Sequence, residues 1–309
     1  MTSGISGMNR ALRWQRWLRR GFGALLSAAF GVAVHGAAGV EPVQGPLHEA
    51  GMVGYLQQQT LGYRPFERWP GVRVKTLSED RATGRLAVYA EFRHGWAGKS
   101  LPAAAQSIDI VILDGSLAFG AETLGSRDFA FVPPGVAPAP LTARARTHAL
   151  LFFDPPSPDA AAVAKQREHG AYITRFDPTR WEVAALAKSA GSKIDLRIMN
   201  LKNDPYTTAR TWYVTLSGGM QTPWEVHSMT EEGYLLQGGY TLAECLGGRT
   251  VVGDYVPGGY FWRPGGIPHS GPDSAPHGEV IWLQRSPIAL DVVFYEDCRD
   301  GKALRPLLR

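Results

Sequence analysis

The chain has 309 residues, enough for two domains each with its own core, and it combines 44% hydrophobic residues with 36 glycines and 22 prolines. That density of turn-formers suits many short strands and argues against a helical bundle. The formal charge of +4 is concentrated at one end: Arg10, Arg13, Arg16, Arg19 and Arg20 all precede the first acidic residue, Glu41, and without those five arginines the balance is −1. The remainder carries no general basic footprint for nucleic acid.

The arginines are followed by an uncharged stretch from Gly21 to Gly39, rich in Ala, Leu, Val and Phe, that ends on the small residues Gly36, Ala37 and Ala38. A basic start, an apolar middle and a small-residue exit describe a secretory signal peptide over residues 1–37. The apolar run is short and broken by glycine, so no stable membrane insertion is expected after cleavage. Arg19-Arg20-Gly21-Phe22 also resembles a twin-arginine export signal. The mature protein is expected to be periplasmic or secreted.

Residues 40–62 show little periodicity and read as a lead-in. From Phe66 to Phe153 short apolar runs alternate with Gly, Pro and Asp. Ser107 to Leu113 reads as a strand running into the turn Asp114-Gly115, and Phe129 to Val132 as another, stopped by Pro133-Pro134-Gly135. Pro155, Pro156 and Pro158 then open a linker in which Ala160–Gln166 and Trp181–Lys188 have helix-forming composition. Strand patterns resume at Ile194 and continue to Tyr295, and Cys298 to Arg309 reads as a tail or short helix. Cys245 and Cys298 are the only cysteines; their spacing leaves open a disulfide or two buried thiols.

Two stretches carry the chemistry. The first reads Gly219, five residues, Glu225, one, His227, three, Glu231, six, Gly238. Nineteen residues later comes Gly258, five residues, Pro264, one, Gly266, two, His269. Alternate residues of a strand share a face, so Glu225 and His227 point the same way, and Glu231 keeps that parity along a continuous strand. Glu232 rivals Glu231, because Gly239 lies six residues after it.

In order and spacing these stretches resemble the two conserved motifs of the cupin family, which contribute three histidines and one glutamate. That resemblance implies an all-β fold of two double-stranded β-helix barrels in tandem, with few short helices in the linker. Its implied organisation is a signal peptide at 1–37, a first domain at 60–157, a linker at 158–190 and a metal-binding domain at 191–297. Within the family the chain looks most like a bacterial group of exported two-barrel proteins, and has some likeness to the sensor cupins of anti-sigma factors.

The family pattern makes Glu225, His227, Glu231 and His269 the metal ligands, for one divalent ion: Fe, Mn, Ni or Zn. Glu225 stands where the family has a histidine. It is therefore either a fourth ligand or a general base, and without it His227, Glu231 and His269 form a two-histidine, one-carboxylate face suited to iron and oxygen chemistry.

The same glycine and proline spacing recurs in the first half, from Gly95 to Gly115 and from Arg127 to Pro138. There Leu101, Ala103, Ile108 and Pro138 stand at the ligand positions, so the first domain is expected to be vacant. Arg263 reads as either a substrate-anion contact or a surface ion pair. Trp224, Tyr234, Tyr260 and Trp262 read as pocket or core.

The resemblance implies a metal-dependent enzyme acting on a small organic molecule, foremost an oxygenase. The alternatives are a Lewis-acid lyase or isomerase, or a non-catalytic periplasmic binder of small molecules. A small-molecule substrate is the implied partner, and the sheet edges of such barrels admit a homodimer.

Overall fold

The computed structural model describes residues 40–48, 51–184, 196–217, 222–295 and 297–298, with the backbone alone at 303–305. The signal peptide expected at 1–37 lies outside the described residues. Among them no helix is long and apolar enough to cross a membrane.

The first half folds into a seven-stranded and a four-stranded antiparallel sheet. The larger runs in the order Tyr172–Thr174, Phe129–Val132, Ser107–Asp114, Thr147–Asp154, Arg85–Phe92, Arg73–Asp80, Arg64–Pro65. The smaller is built from Ala97–Gly98, Leu141–Ala143, Leu117–Phe119 and Glu122–Leu124. The strands expected at Ser107–Leu113 and Phe129–Val132 are present, at Ser107–Asp114 and Phe129–Val132. Their side chains alternate between two cores. Ile108, Ile110 and Ile112 point inward, where Phe66, Trp69, Phe92 and Phe153 fill the barrel. Leu101 and Ile108, two of the four residues at vacant ligand positions, belong to that interior, whereas Ala103 is exposed.

The second half is organised around the 16-residue strand Glu231–Leu246. Its first part pairs with Gly259–Arg263 and Ala275–Ser286, and its last part with Arg249–Tyr255 and His269–Ser270. Register shifts between Leu235 and Gly239 bend it from one wall to the next. Gly238 makes the bend possible: its φ is 78°, and a Cβ there would lie 2.4 Å from the Glu279 carbonyl oxygen. Gly115 is in the same situation in the first half, with φ 80° and the Arg146 carbonyl oxygen 2.3 Å from a Cβ. Both glycines were motif markers in the sequence, and both mark turns or bends that a side chain would obstruct.

Three segments differ from the sequence expectation. The lead-in is structured: Glu41–Pro42 runs parallel to Arg249–Tyr255, and Val53–Gln57 pairs with Gly259–Arg263, so both lead-in strands belong to the second barrel. The period was hidden because Val53–Gln57 is one short strand broken by an irregularity between Val53 and Leu56. In the linker, the helix forms at Ala160–His169, capped by the Asp159 carboxylate on Ala161 and Ala162 N–H. At the second expected helix, Trp181–Lys188, Glu182–Val183 is instead an edge strand pairing with Leu196–Asn203, and 185–188 lie outside the described residues. Near the end, 303–305 form a strand on Val293–Tyr295 rather than a helix.

The barrels meet through a shared apolar layer. Val111, Phe129, Phe131, Leu150 and Phe152 from the first face Tyr213, Tyr234, Tyr260, Ile281 and Leu283 from the second. Charges are buried inside this layer. The Asp109 carboxylate accepts from Lys202 Nζ at 2.8 Å on both oxygens, from Thr211 Oγ1 at 2.7 Å and from Arg285 at 3.0 and 3.2 Å. Arg285 also reaches Glu232 and Asp154. Burial would raise the Asp109 pKa, but the charges of Lys202 and Arg285 outweigh it and hold the carboxyl below its ordinary 3.8.

Removing that carboxylate leaves the buried Lys202 ammonium without its carboxylate and takes one of three carboxylate partners from Arg285. Asp109→Ala is predicted to destabilise the protein by about 3–5 kcal/mol in urea unfolding. Because the folded pKa is depressed, the contribution is present above pH 3.8 and is lost as the pH falls through the folded value. A loss under about 1 kcal/mol, as for exposed pairs, would contradict this account of the interface.

Candidate metal centre

The short strand Trp224–Val226 lies between His269–Ser270 and Val293–Tyr295. Strand alternation sends Trp224 outward, into the cluster around Cys245 and Cys298, and Glu225 inward. Those cysteines form a disulfide, which closes the pairing the sequence left open. Glu225 is paired directly with His269 across the strands. The loop after Pro264 is tied beneath the site by a 2.8 Å hydrogen bond from Gly266 N–H to the His227 carbonyl.

Three side chains converge. One ligand atom each from Glu225, His227 and His269 lies within 4.8 Å of the others. The two imidazole rings have centroids 5.0 Å apart, and His269 Nε2 is 3.5 Å from Glu225 Oε1. Both rings are held from behind. His227 Nδ1 donates to the Asp291 carbonyl, and His269 Nδ1 donates to the Ile267 carbonyl at 3.1 Å. A carbonyl only accepts, so Nδ1 carries a proton in both rings, and Nε2 is the nitrogen that each ring turns to the interior, where the neutral imidazole offers its lone pair. Burial, with the charge of Arg263 and the neighbouring His227, keeps His269 well below its ordinary pKa and therefore neutral. Ser270, in the left-handed region at φ 69°, donates from Oγ to Glu225 Oε1 at 2.8 Å.

Glu231 is also inside the barrel, with Oε2 3.5 Å from His269 Nε2 and 3.8 Å from His227 Nε2. Its main partner is Arg263, however, whose Nη1 donates to the same oxygen at 2.6 Å. The reason is register: Glu231 and Arg263 face each other on paired strands with the same inward parity. Arg263 also binds Glu244, through Nε at 3.1 Å and Nη2 at 2.9 Å. It is 2% exposed, so of the two sequence readings the surface ion pair does not hold: the guanidinium is a buried bridge between two carboxylates. Glu232, the rival of Glu231, points the other way, into the layer between the barrels, where Tyr260 and Arg285 donate to it.

The charges do not balance among themselves. Counted as ionised carboxylates, Glu225, Glu231 and Glu244 against the one guanidinium of Arg263 would leave an excess of two negative charges, which proton uptake or a bound cation must relieve. Burial raises Glu225, and it raises Glu244 to about 7 despite Arg263. One divalent cation at the converging lone pairs would offset that excess. The donor set of two imidazoles and a carboxylate fits such an ion.

A cavity of about 320 Å³ opens onto this cluster. Its walls are apolar, with Trp212, Tyr240, Phe261, Trp282, Leu290 and Phe294 among them. Trp224, Tyr234, Tyr260 and Trp262 are not part of it; the last three pack in the layer between barrels. Trp212 and Trp282 went unnoticed in the sequence because they lie on strands outside the motifs. Alternation from Arg210 through Trp212 and Val214 to Leu216 was the available signal, since all four line the cavity.

No family model matches the sequence, and no curated protein matches it. Solved structures do. The chain is similar to the oxalate decarboxylase of Bacillus subtilis at a TM-score of 0.53 and 14% identity, over 78% of this chain and 79% of that one. A Nostoc punctiforme structure described as a candidate dioxygenase matches at a TM-score of 0.53 and 13% identity, over 78% of this chain and 86% of that one. At these identities the likeness carries architecture and not reaction. The chain therefore has the two-barrel cupin fold.

Proposed function

We propose that the protein is a metal-dependent cupin enzyme acting on a small organic molecule, with Glu225, His227 and His269 as the ligands of one divalent ion. The observation that carries this reading is the pair of Nε2 lone pairs, fixed by Nδ1–H bonds to carbonyls, meeting a carboxylate in a pocket with excess negative charge. Glu231 lies beside the ion position, anchored by Arg263, and orients that side of the pocket rather than supplying a ligand.

Among the metals, iron and an oxygenase reaction suit the two-histidine, one-carboxylate set best. When bound, the ion supplies a Lewis-acidic centre, and iron adds reactivity toward dioxygen. The chain's own residues do the rest. Apolar walls exclude water, and the Arg263–Glu231 pair presents fixed polarity beside the reacting end of a substrate. Burial pushes the Tyr240 hydroxyl well above its ordinary pKa, so it stays protonated and can donate a hydrogen bond but not act as a base.

Metal analysis of the purified protein, followed by oxygen-uptake assays on the iron-loaded form, tests this. Near-stoichiometric metal is expected in the wild type and in Glu231→Gln, with a loss of about tenfold or more in affinity for Glu225→Gln and His269→Ala. Equal loss in Glu231→Gln and Glu225→Gln would make Glu231 a fourth ligand. Turnover without dioxygen would remove the oxygenase version.

We also propose that residues 1–37 direct export. The Cys245–Cys298 disulfide supports this, because such bonds persist in oxidising compartments. Cell fractionation should recover a chain shortened at 36–38 outside the cytosol. Recovery of the shortened chain in the cytosol would contradict it.

A further inference from the structure

Two polar groups on the wall of the main cavity have no partner. Arg210 Nε is buried without an acceptor, and so is the Thr222 hydroxyl, among the described residues. Arg210 is half-buried; it donates once, from Nη2 to Asn200 Oδ1 at 3.0 Å, and lies 5.1 Å from the Trp212 ring centre. Among the described residues no carboxylate lies within ion-pair distance of it. A guanidinium carries five donors, and a buried donor without an acceptor is costly. This contrasts with Arg263 and Arg285, whose charges are met by carboxylates.

The sheet register fixes where Arg210 stands. It pairs with Ser286, and Glu232 pairs with Arg285, which places Glu231 beside Ser286 on the next strand. Arg210 and Glu231 thus share one row of the wall, two strands apart, or about 10 Å at the usual strand spacing. Trp212 and Trp282, which line the same cavity, make the surroundings aromatic and apolar.

We infer that the cavity takes a small apolar monocarboxylate, its carboxylate bound by Arg210 and its far end directed at the Glu225, His227 and His269 cluster. The orientation rests on the metal-centre reading; the carboxylate subsite does not. A carboxylate accepts from the guanidinium, satisfying Nε, while its apolar body displaces water from the aromatic wall. A neutral apolar ligand of the same shape would leave the guanidinium donor unpaired.

Calorimetric titration of the metal-loaded full chain with cinnamate and with cinnamyl alcohol tests the inference. Wild type should bind the acid more tightly than the alcohol. Arg210→Gln should weaken the acid by about tenfold or more while changing the alcohol by less than about twofold. Arg210→Lys, which keeps the charge but not the fork, should fall between them. Metal content and thermal midpoint should be unchanged in both variants.

Equal binding of acid and alcohol by wild type, absence of binding by both, or acid affinity unaffected by Arg210→Gln would each overturn the inference. Repeating the titrations after chelation separates the two readings. Discrimination that survives in metal-free protein supports the Arg210 subsite, and discrimination that disappears places the carboxylate on the metal and overturns it. A chain that never binds metal but still discriminates through Arg210 would fail the metal reading alone.

Discussion

The Arg263 guanidinium, held between Glu231 and Glu244 inside the second barrel, sets the charge on which the site depends. Burying one cation with two carboxylates is expensive unless hydrogen bonds satisfy them, and here Arg263 reaches both with Nε and both terminal nitrogens. The bridge ties Glu231–Leu246 to Gly259–Arg263 and fixes Glu231 away from free rotation. It also leaves the pocket one charge short of neutrality before Glu225 is counted, and two short after. A divalent cation is the simplest neutralising partner, and the two histidines already face where it would sit.

The two barrels use one frame for opposite purposes. Ile108 pairs with Val132 and Phe153 in the first, while Glu231 pairs with Arg263 in the second, so the same place in the frame holds an apolar side chain in one and the bridged carboxylate in the other. One residue on, Asp109 and Glu232 both turn outward and both accept from Arg285. The first barrel fills its interior with Trp69, Phe92 and Phe153, whereas the second keeps a cavity. Filling one barrel gives a rigid face against which the other can hold buried charge at the shared layer.

Much of this was legible in the sequence, for physical reasons specific to each residue. The glycine spacing was informative because Gly115 and Gly238 occupy positive-φ turns where a Cβ would strike a carbonyl. Glu225, His227 and Glu231 share one interior with His269 as expected, but not along one continuous strand: Trp224–Val226 ends before His227, and Glu231 opens the next strand after an intervening bend. What the sequence did not reveal depends on pairing between distant strands. Arg263 could be placed opposite Glu231 only once the register was known, and Glu244 lies outside both motifs. The lead-in strand Val53–Gln57 has no readable period because its partner, Gly259–Arg263, is about two hundred residues away and supplies the regularity.

The central claim is that three residues, and not four, hold one divalent ion. Anomalous diffraction from crystals of the metal-loaded protein, recorded at the absorption edge of the bound metal, tests it most directly. The account predicts one peak about 2.0–2.2 Å from His227 Nε2, His269 Nε2 and a Glu225 oxygen, with Glu231 still paired to Arg263. No peak between those three residues, or Glu231 turned from Arg263 onto the metal, would contradict it.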